Sequence, residues 1–357
     1  MKFDIKQTNV VKGLAVLLLL WHHLFLNNLS LCTPLLTVHG IAVAKILADC
    51  SKCCVALFVF LSGYGLFKSY SSFIKRCPEK RPAVLLDFIF IKNRVLKLLK
   101  NYWFVFFIFV PLSLLFGRYF YKIYGSNPLH YIADVSGISY LLYGDKYTMN
   151  PTWWYIGMIL VYYIVYPFIC RLYMRFPKTV LIISILSIFI PNVYRNLNIY
   201  FPTMMFGTLF ADKKVFECAD SLNLPIQLKT IIAAFVLILL LPVRVLLNQR
   251  NMVYSMKFDI VFILPIVFIC YFAFSRIKIL NAVLEELGKK SGLIFLFHTF
   301  IFSFFFKDLL YSLKYPLLIF IVLTSVCYVI ASLLEKAMEL TKYNRLFSLI
   351  THQGGNK

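Results

Sequence analysis

The chain has 357 residues, of which 61% are hydrophobic, 18% aromatic and only 15% charged. Soluble domains contain roughly 25% charged residues, so this composition excludes a water-soluble globule. The formal net charge of +22 would suit a nucleic-acid-binding protein. No segment is polar enough to form a basic groove, however, and nucleic acid is therefore not an expected partner.

Ten apolar segments follow one another along the chain, and a membrane span needs roughly 20 such residues. They predict an all-α, polytopic transmembrane helix bundle of about ten spans. We expect residues 1–357 to form a single integral-membrane domain with no fused extracellular domain. In chain order the segments are residues 10–28, 53–68, 102–117, 153–170, 179–191, 200–211, 229–243, 258–274, 292–306 and 316–334.

The basic residues predict the orientation of these spans. With the N-terminus in the cytoplasm, alternation through ten spans assigns 26 Lys and Arg residues to the inside and 11 to the outside. Because cytoplasmic loops are enriched in these residues, we expect both termini to be cytoplasmic. The predicted location is the bacterial cytoplasmic membrane, with membrane lipid as a partner. Much of the longest basic segment, residues 68–100, is explained by orientation and by contact with anionic lipid.

The nine cysteines are scattered, and most lie in or beside apolar segments, where they behave as small apolar residues. Their spacing matches no metal-site pattern and no disulfide framework. We therefore expect free thiols and no bound metal.

Ionisable residues in the first span are the first candidates for a functional site, because such groups are costly in a membrane. Lys12 and His23 are eleven positions apart. At about 100° per residue they share one helix face, separated by roughly 16 Å along the axis, whereas His22 points about 80° away from Lys12. An imidazole can accept a proton from a hydroxyl, and a cation at the membrane boundary can hold phosphate. A snorkelling lysine and a hydrogen-bonded core histidine are the structural alternative.

Six motifs, in this order along the chain, resemble those of the acyltransferase 3 family of integral-membrane enzymes that O-acylate sugars. The first is Lys12, ten intervening residues and His23, although the family usually has Arg where this chain has Lys12. That change keeps the charge and loses the planar, two-pronged donor. The other motifs are Phe58 to Tyr64, including Ser62-Gly63; Lys92 to Lys97 followed by Asn101-Tyr102-Trp103; Trp153-Trp154-Tyr155; Leu287 to Ser291 with Phe295 to His298; and Glu335-Lys336.

The resemblance implies an acyl-CoA donor, usually acetyl-CoA, which binds as a substrate on the cytoplasmic side and not as a permanent cofactor. It implies as acceptor a hydroxyl of a cell-surface or lipid-linked glycan. Coenzyme A is polyanionic, so Lys12, Arg94 and Lys97 are candidate ligands for its phosphates. Lys80 and Arg81 belong to the same basic segment.

His23 is the candidate general base, and His298 either takes that role instead or orients the substrate; a core histidine hydrogen-bonded to a neighbouring helix is the structural alternative for His298. Ser62 is a candidate oxyanion donor, with Gly63 breaking the helix to admit the thioester. Close helix packing at small residues is the alternative. The candidate substrate-binding aromatic residues are Trp153, Trp154, Tyr155 and Tyr64. An interfacial aromatic belt predicts the tryptophans equally well.

A polytopic transporter or flippase for a glycan or lipid is the main alternative function, because composition and span count fit it equally well. A glycan polymerase is a third candidate, but no large outside loop is present; the longest predicted one is residues 118–152. The sequence leaves the oligomeric state open, with a homo-oligomer among the options.

Overall fold

The computed structural model describes residues 2–38, 40–76, 82–191 and 196–352, and their regular structure is helical except for one short hairpin. The α-helices are α1 (Ile5–Phe25), α2 (Val43–Ser51), α3 (Cys54–Arg76), α4 (Ala83–Leu114), α5 (Phe120–Tyr124), α6 (Pro128–Val135), α7 (Ser139–Tyr143), α8 (Trp154–Arg175), α9 (Pro177–Leu186), α10 (Leu197–Asp212), α11 (Val215–Ser221), α12 (Ile226–Arg250), α13 (Met252–Phe272), α14 (Lys278–Thr299), α15 (Lys307–Tyr311), α16 (Pro316–Leu340) and α17 (Tyr343–His352). Shorter elements are 3-10 turns at Leu29–Leu31, Pro151–Trp153, Ser187–Phe189 and Phe274–Arg276, a π-helix at Phe300–Phe305, and antiparallel strands β1 (Thr37–Val38) and β2 (Ile41–Ala42).

Seven helical stretches among the described residues are long and apolar enough to cross a membrane. They contain α1, α2 together with α3, α4, α8, α12, α13 and α16. The chain is therefore an all-α integral membrane protein, as the composition predicts. The other three predicted spans fall on α9, α10 and α14. Helices α9 and α10 have only 10 and 16 residues, and α14 carries charged side chains in its first half. The count of ten spans stays a prediction.

Helix α4 differs from the predicted boundaries because it begins at Ala83 and runs for 32 residues. Much of the basic segment expected as a cytoplasmic connection is therefore helical. The buried carboxylate of Asp87 holds this extension in place, since it accepts a hydrogen bond of 2.7 Å from the Tyr70 hydroxyl and pairs at 2.5 Å with Arg171. The extension gives Arg94 and Lys97 fixed positions on a helix.

Two glycines bring α1 and α14 into backbone contact. A Cβ atom on Gly13 would lie 2.0 Å from the carbonyl oxygen of Leu284, and one on Gly288 would lie 1.9 Å from that of Asn9. Both helices run in the same direction from this crossing. Residues about eleven positions further along, His23 on α1 and His298 on α14, therefore face one another again. We call the end of the bundle where α1 begins the N-terminal side and the opposite end the far side.

Helix α3 runs antiparallel to α1, because Lys68 near its C-terminal end donates a 3.0 Å hydrogen bond to the carbonyl of Phe3. It stays helical through Gly63, whose missing side chain allows the backbone of Met204 on α10 to approach: a Cβ would lie 2.0 Å from that carbonyl. The expected break at this glycine is therefore absent from α3. Close helix packing explains the residue instead.

Candidate active site

A cavity of about 360 Å³ lies between α1, α3, α4, α8 and α14. Its volume is within the range of small-molecule sites. Five residues singled out by the sequence line it, although they come from four helices: Lys12, Ser62, Arg94, Lys97 and Tyr155. The structure therefore brings the three predicted phosphate ligands together at one site on the N-terminal side.

The three cations of this cavity have no carboxylate partner among the residues that the structure describes. Lys97 instead repels both Lys12 and Arg94 electrostatically. Like charges held close together destabilise the empty site, and a bound anion relieves that repulsion. We call this site the cation cavity. Lys80 and Arg81, which belong to the same basic segment, lie outside the described residues.

Ser62 forms part of the cavity wall next to two tyrosines, Tyr155 and Tyr163, whose side chains both interact with it. Its hydroxyl donates a 2.8 Å hydrogen bond to the carbonyl of Phe58 on its own helix. In this structure the single hydroxyl proton of Ser62 is thus directed to the backbone of its own helix. Ser62 has a place in the wall of the cation cavity, and its oxyanion role stays a prediction.

The predicted histidines His23 and His298 face one another on the parallel helices α1 and α14, with ring centroids 5.1 Å apart. His298 is fully buried, and its Nδ1 donates to the carbonyls of Phe295 and Ile294 at 2.9 and 3.1 Å. Its Nε2 therefore carries the lone pair, 3.4 Å from the Thr299 hydroxyl. We call these two residues the histidine pair.

His23 differs from its neighbour in its hydrogen bonding. The His22 ring is 2% exposed, and its Nδ1 donates a 2.7 Å bond to the carbonyl of Ala48 on α2. The His23 ring is partly exposed and forms no hydrogen bond with any described residue. Helical geometry and the hydrogen-bond pattern thus agree: His22 fastens α1 to α2, whereas the imidazole of His23 is available to a substrate.

The cation cavity leads toward the histidine pair. Phe295 lines the cavity, and its ring centroid is 6.3 Å from that of His298. Tyr155 packs against the same phenylalanine at 5.2 Å. Gly292, one turn before Phe295, also lines the cavity.

The predicted aromatic cluster is divided among different surroundings. Trp153 is only 3% exposed, and its indole N–H donates a 2.9 Å hydrogen bond to the carbonyl of Leu296. Its ring packs against Tyr102 at 4.9 Å. Burial and this hydrogen bond give Trp153 a structural role, in which it holds α8 against α14.

Tyr64 is also a structural residue. It is 3% exposed, its hydroxyl donates to the carbonyl of Phe3 at 3.3 Å, and its ring packs against that phenylalanine at 5.0 Å. It does not line the cation cavity. Its predicted contact with substrate stays a prediction. Trp154 remains half-buried, with the Lys52 ammonium 5.7 Å from its ring centroid. No sequence motif pointed to Lys52; the only signal was a basic residue next to an apolar run.

The connection between α4 and α8 is fixed by the buried carboxylate of Asp134. It accepts hydrogen bonds from the Tyr124 hydroxyl at 2.7 Å and from the Thr148 hydroxyl and the Met149 N–H at 2.9 Å each. Burial raises the pKa of Asp134 to about 6, although these three donors act in the opposite direction. The anchored segment continues to Thr152, whose hydroxyl is 3.5 Å from that of Thr299, next to His298.

The cysteines and acidic residues form no further candidate site. In the described part of the chain, no group of three or more His, Cys, Asp or Glu residues is placed to hold a metal ion. The eight cysteines described there are free thiols. The candidate site is thus a cavity with three cations inside a transmembrane helix bundle, and its lining residue Phe295 adjoins His298 of the histidine pair.

These features define a polytopic membrane protein with an internal cavity. Comparison with known families agrees: a family model for an acyltransferase domain, acyltransferase 3, matches residues 5–335. Because the match spans essentially the whole chain, the protein belongs to that family and is a membrane acyltransferase. No curated protein and no solved structure gave a significant match.

Proposed function

We propose that this membrane acyltransferase transfers an acetyl group from acetyl-CoA to a hydroxyl of a cell-surface or lipid-linked glycan. The N-terminal side is then cytoplasmic, as the distribution of basic residues predicts, and the acceptor approaches from the far side of a bacterial cytoplasmic membrane. The observation that carries the proposal is a cavity whose three cations meet no described carboxylate and which ends next to the histidine pair.

The cation cavity is the proposed donor site. Lys12, Arg94 and Lys97 would hold the phosphate groups of coenzyme A. Ordinary membrane lipids do not carry so many phosphate groups. Arg94 supplies a planar two-pronged donor, whereas the two lysines act as point charges. The thioester would then extend along α14 past Phe295, whose ring adjoins that of His298.

His23 is the proposed general base, because its imidazole is the member of the pair without a hydrogen-bond partner among the described residues. The acceptor oxygen attacks the acetyl carbonyl carbon, and a new C–O bond forms while the C–S bond of the thioester breaks. The hydroxyl proton passes to His23 and is then delivered to the departing thiolate, which leaves as the free thiol of coenzyme A. Atoms and charge balance in this sequence of steps.

His298 has a different proposed role in the same reaction. Its Nδ1 proton is donated to carbonyls of its own helix, so its ring orientation is fixed. The remaining Nε2 is an acceptor that would hold the acceptor hydroxyl beside His23. We therefore assign His298 to substrate orientation.

A carrier for glycans or lipids is the alternative that the proposal must exclude. A carrier requires a path wide enough for its whole cargo and has no use for an available imidazole beside a cation cavity. Mass spectrometry of surface glycans from cells with and without the gene distinguishes the two functions. We expect acetylated glycans to disappear when the gene is deleted and to return with the wild-type gene but not with His23→Ala. Unchanged acetylation on deletion would contradict the proposal.

A further inference from the structure

Lys52 lies close to the wall of the cation cavity and to the histidine pair. It caps the C-terminal end of α2, and Ala48, one turn earlier, is the residue whose carbonyl binds His22. The Lys52 ammonium is 5.7 Å from the centroid of the Trp154 ring, and that centroid is 6.1 Å from the centroid of the Tyr155 ring, which lines the cavity. On its other side Lys52 is close enough to His23 to interact with it electrostatically.

The ammonium group of Lys52 has no hydrogen-bond or ion-pair partner among the described residues. The nearest acid that influences it is Asp259, whose carboxylate is already bound by Arg244 at 2.7 and 3.4 Å. The ammonium group of Lys52 lies over the Trp154 ring, and it interacts electrostatically with both His22 and His23. An unpaired cation held in a partly buried position is costly, so it requires an explanation beyond packing.

Negative charge develops near this position during the proposed reaction. When the acceptor oxygen attacks the thioester, the carbonyl oxygen becomes an oxyanion while the hydroxyl proton moves to His23. With the Ser62 proton already donated to Phe58, the cavity wall offers no hydroxyl donor at that residue. A cation that is fixed before the reaction stabilises such a charge without reorganisation.

We propose that Lys52 is a catalytic residue that stabilises the oxyanion formed on the acetyl carbonyl. This inference rests on the proposed acetyl transfer and adds a residue to it. It also gives the two cationic sites different roles, since the cation cavity binds the donor in the ground state, whereas Lys52 acts on the transition state.

The test compares Lys52→Met and Lys52→Arg with Lys45→Met, a control on the same helix whose lysine is paired with Asp49 at 3.3 Å and bound to the Leu26 carbonyl. Acetyl transfer is measured with radiolabelled acetyl-CoA in membranes of the producing cells, which supply the acceptors. Acetyl-CoA binding and the unfolding temperature are measured on the purified variants.

For Lys52→Met we expect kcat to fall by about 10²- to 10³-fold while the KM for acetyl-CoA changes by less than about twofold. The unfolding temperature should not fall, because removing an unpaired cation removes a desolvation cost. Lys52→Arg should recover much of the rate, since it restores the charge, and Lys45→Met should keep the wild-type kcat and KM even if the loss of its bonds lowers the unfolding temperature slightly.

Near-normal turnover of Lys52→Met would overturn the assignment of Lys52. So would a loss of activity matched by a lower unfolding temperature, which indicates a structural role, or a raised KM with unchanged kcat, which indicates ground-state binding. A wild-type protein that transfers no acetyl group contradicts the proposed function itself. An active wild type with an equally active Lys52→Met contradicts the role of Lys52 alone.

Discussion

The cation cavity and the interface between α12 and α13 both hold charged side chains, but only the second provides each charge with a partner among the described residues. At that interface Arg244 and Asp259 are both fully buried and form a salt bridge at 2.7 Å. Arg244 also donates a hydrogen bond of 2.8 Å to the carbonyl of Asp49. In the cation cavity, Lys12 and Lys97 are close enough to repel one another and meet no described carboxylate.

This difference separates structural from functional charge in a membrane bundle. A buried pair with all its donors and acceptors satisfied fixes the arrangement of helices, and losing one member leaves the other uncompensated. A group without a partner contributes little to folding and is available to a ligand. The same contrast holds within the histidines, since His22 is bonded to Ala48 whereas His23 bonds to no described residue. Removal of a satisfied group should therefore lower stability, and removal of an available group should lower activity.

The largest effect is expected for the histidines. His23→Ala should reduce acetyl transfer by roughly 10²- to 10⁴-fold at unchanged protein level, because it removes a general base. His22→Ala should instead lower stability by about 1 kcal/mol through the lost hydrogen bond, with much milder loss of turnover. Acetyl transfer in membranes, normalised to folded protein, measures both. If His22→Ala abolishes transfer and His23→Ala does not, the base is assigned to the wrong residue.

The paired region should show the opposite behaviour. Arg244→Met leaves the Asp259 carboxylate buried without its partner and should destabilise the fold by about 3 to 5 kcal/mol. The double variant Arg244→Met/Asp259→Leu removes both charges and should recover most of that loss. Unfolding temperature in detergent measures the series. A single variant as stable as the wild type would show that the pair does not hold α12 against α13.

Asp134 tests a satisfied group outside the membrane spans. Because burial raises the pKa of Asp134 from 3.8 to about 6, the folded state binds a proton that the unfolded state has released. The contribution of this group to stability is therefore complete below about pH 4 and is lost as pH rises through about 6. Over that interval wild type should lose on the order of 3 kcal/mol more than Asp134→Asn. Parallel pH profiles of unfolding temperature for the two proteins would contradict the assignment.

The smallest effect is expected in the cation cavity. Arg94→Gln and Lys97→Gln should each raise the KM for acetyl-CoA by about tenfold, and donor binding should become less sensitive to salt. Lys92→Gln is the matched control, since Lys92 lies on the same helix and does not line the cavity. Isothermal titration with acetyl-CoA measures the affinity directly. If all three variants bind acetyl-CoA as tightly as the wild type, these charges serve only to orient the protein in the membrane.

Seven of the ten predicted spans fall on helices long and apolar enough to cross a membrane, because apolar length is visible in the sequence. The ends of the helices could not be predicted. Helix α4 begins at Ala83 because Asp87 fastens its polar start to α3 and α8, and no local pattern announces that contact. Similarly, α14 begins at Lys278 although its predicted apolar segment starts at Gly292. Ion pairs such as that between Lys290 and Glu335 allow the charged first half of α14 to lie within the bundle.

The site shows the same limit. His23 and Lys12 could be placed on one face from helical periodicity, and the structure shows both where that geometry expects them. The packing of Trp153 could not be predicted, because an aromatic residue looks the same in sequence whether it meets a sugar, a lipid headgroup or the carbonyl of Leu296. Lys52 could not be singled out either, because its neighbours Trp154 and His23 belong to other helices and are distant in the chain.

The central claim is that one reaction path runs through the bundle, from the cation cavity to the histidine pair. Sealed inside-out membrane vesicles, which expose the predicted cytoplasmic face, test it most directly when labelled acetyl-CoA is added outside. The account predicts that free coenzyme A appears outside while the labelled glycan is inside, protected from an added glycosidase until detergent opens the vesicles. Labelled glycan that the glycosidase removes from intact vesicles would place donor and acceptor on the same side and contradict the account.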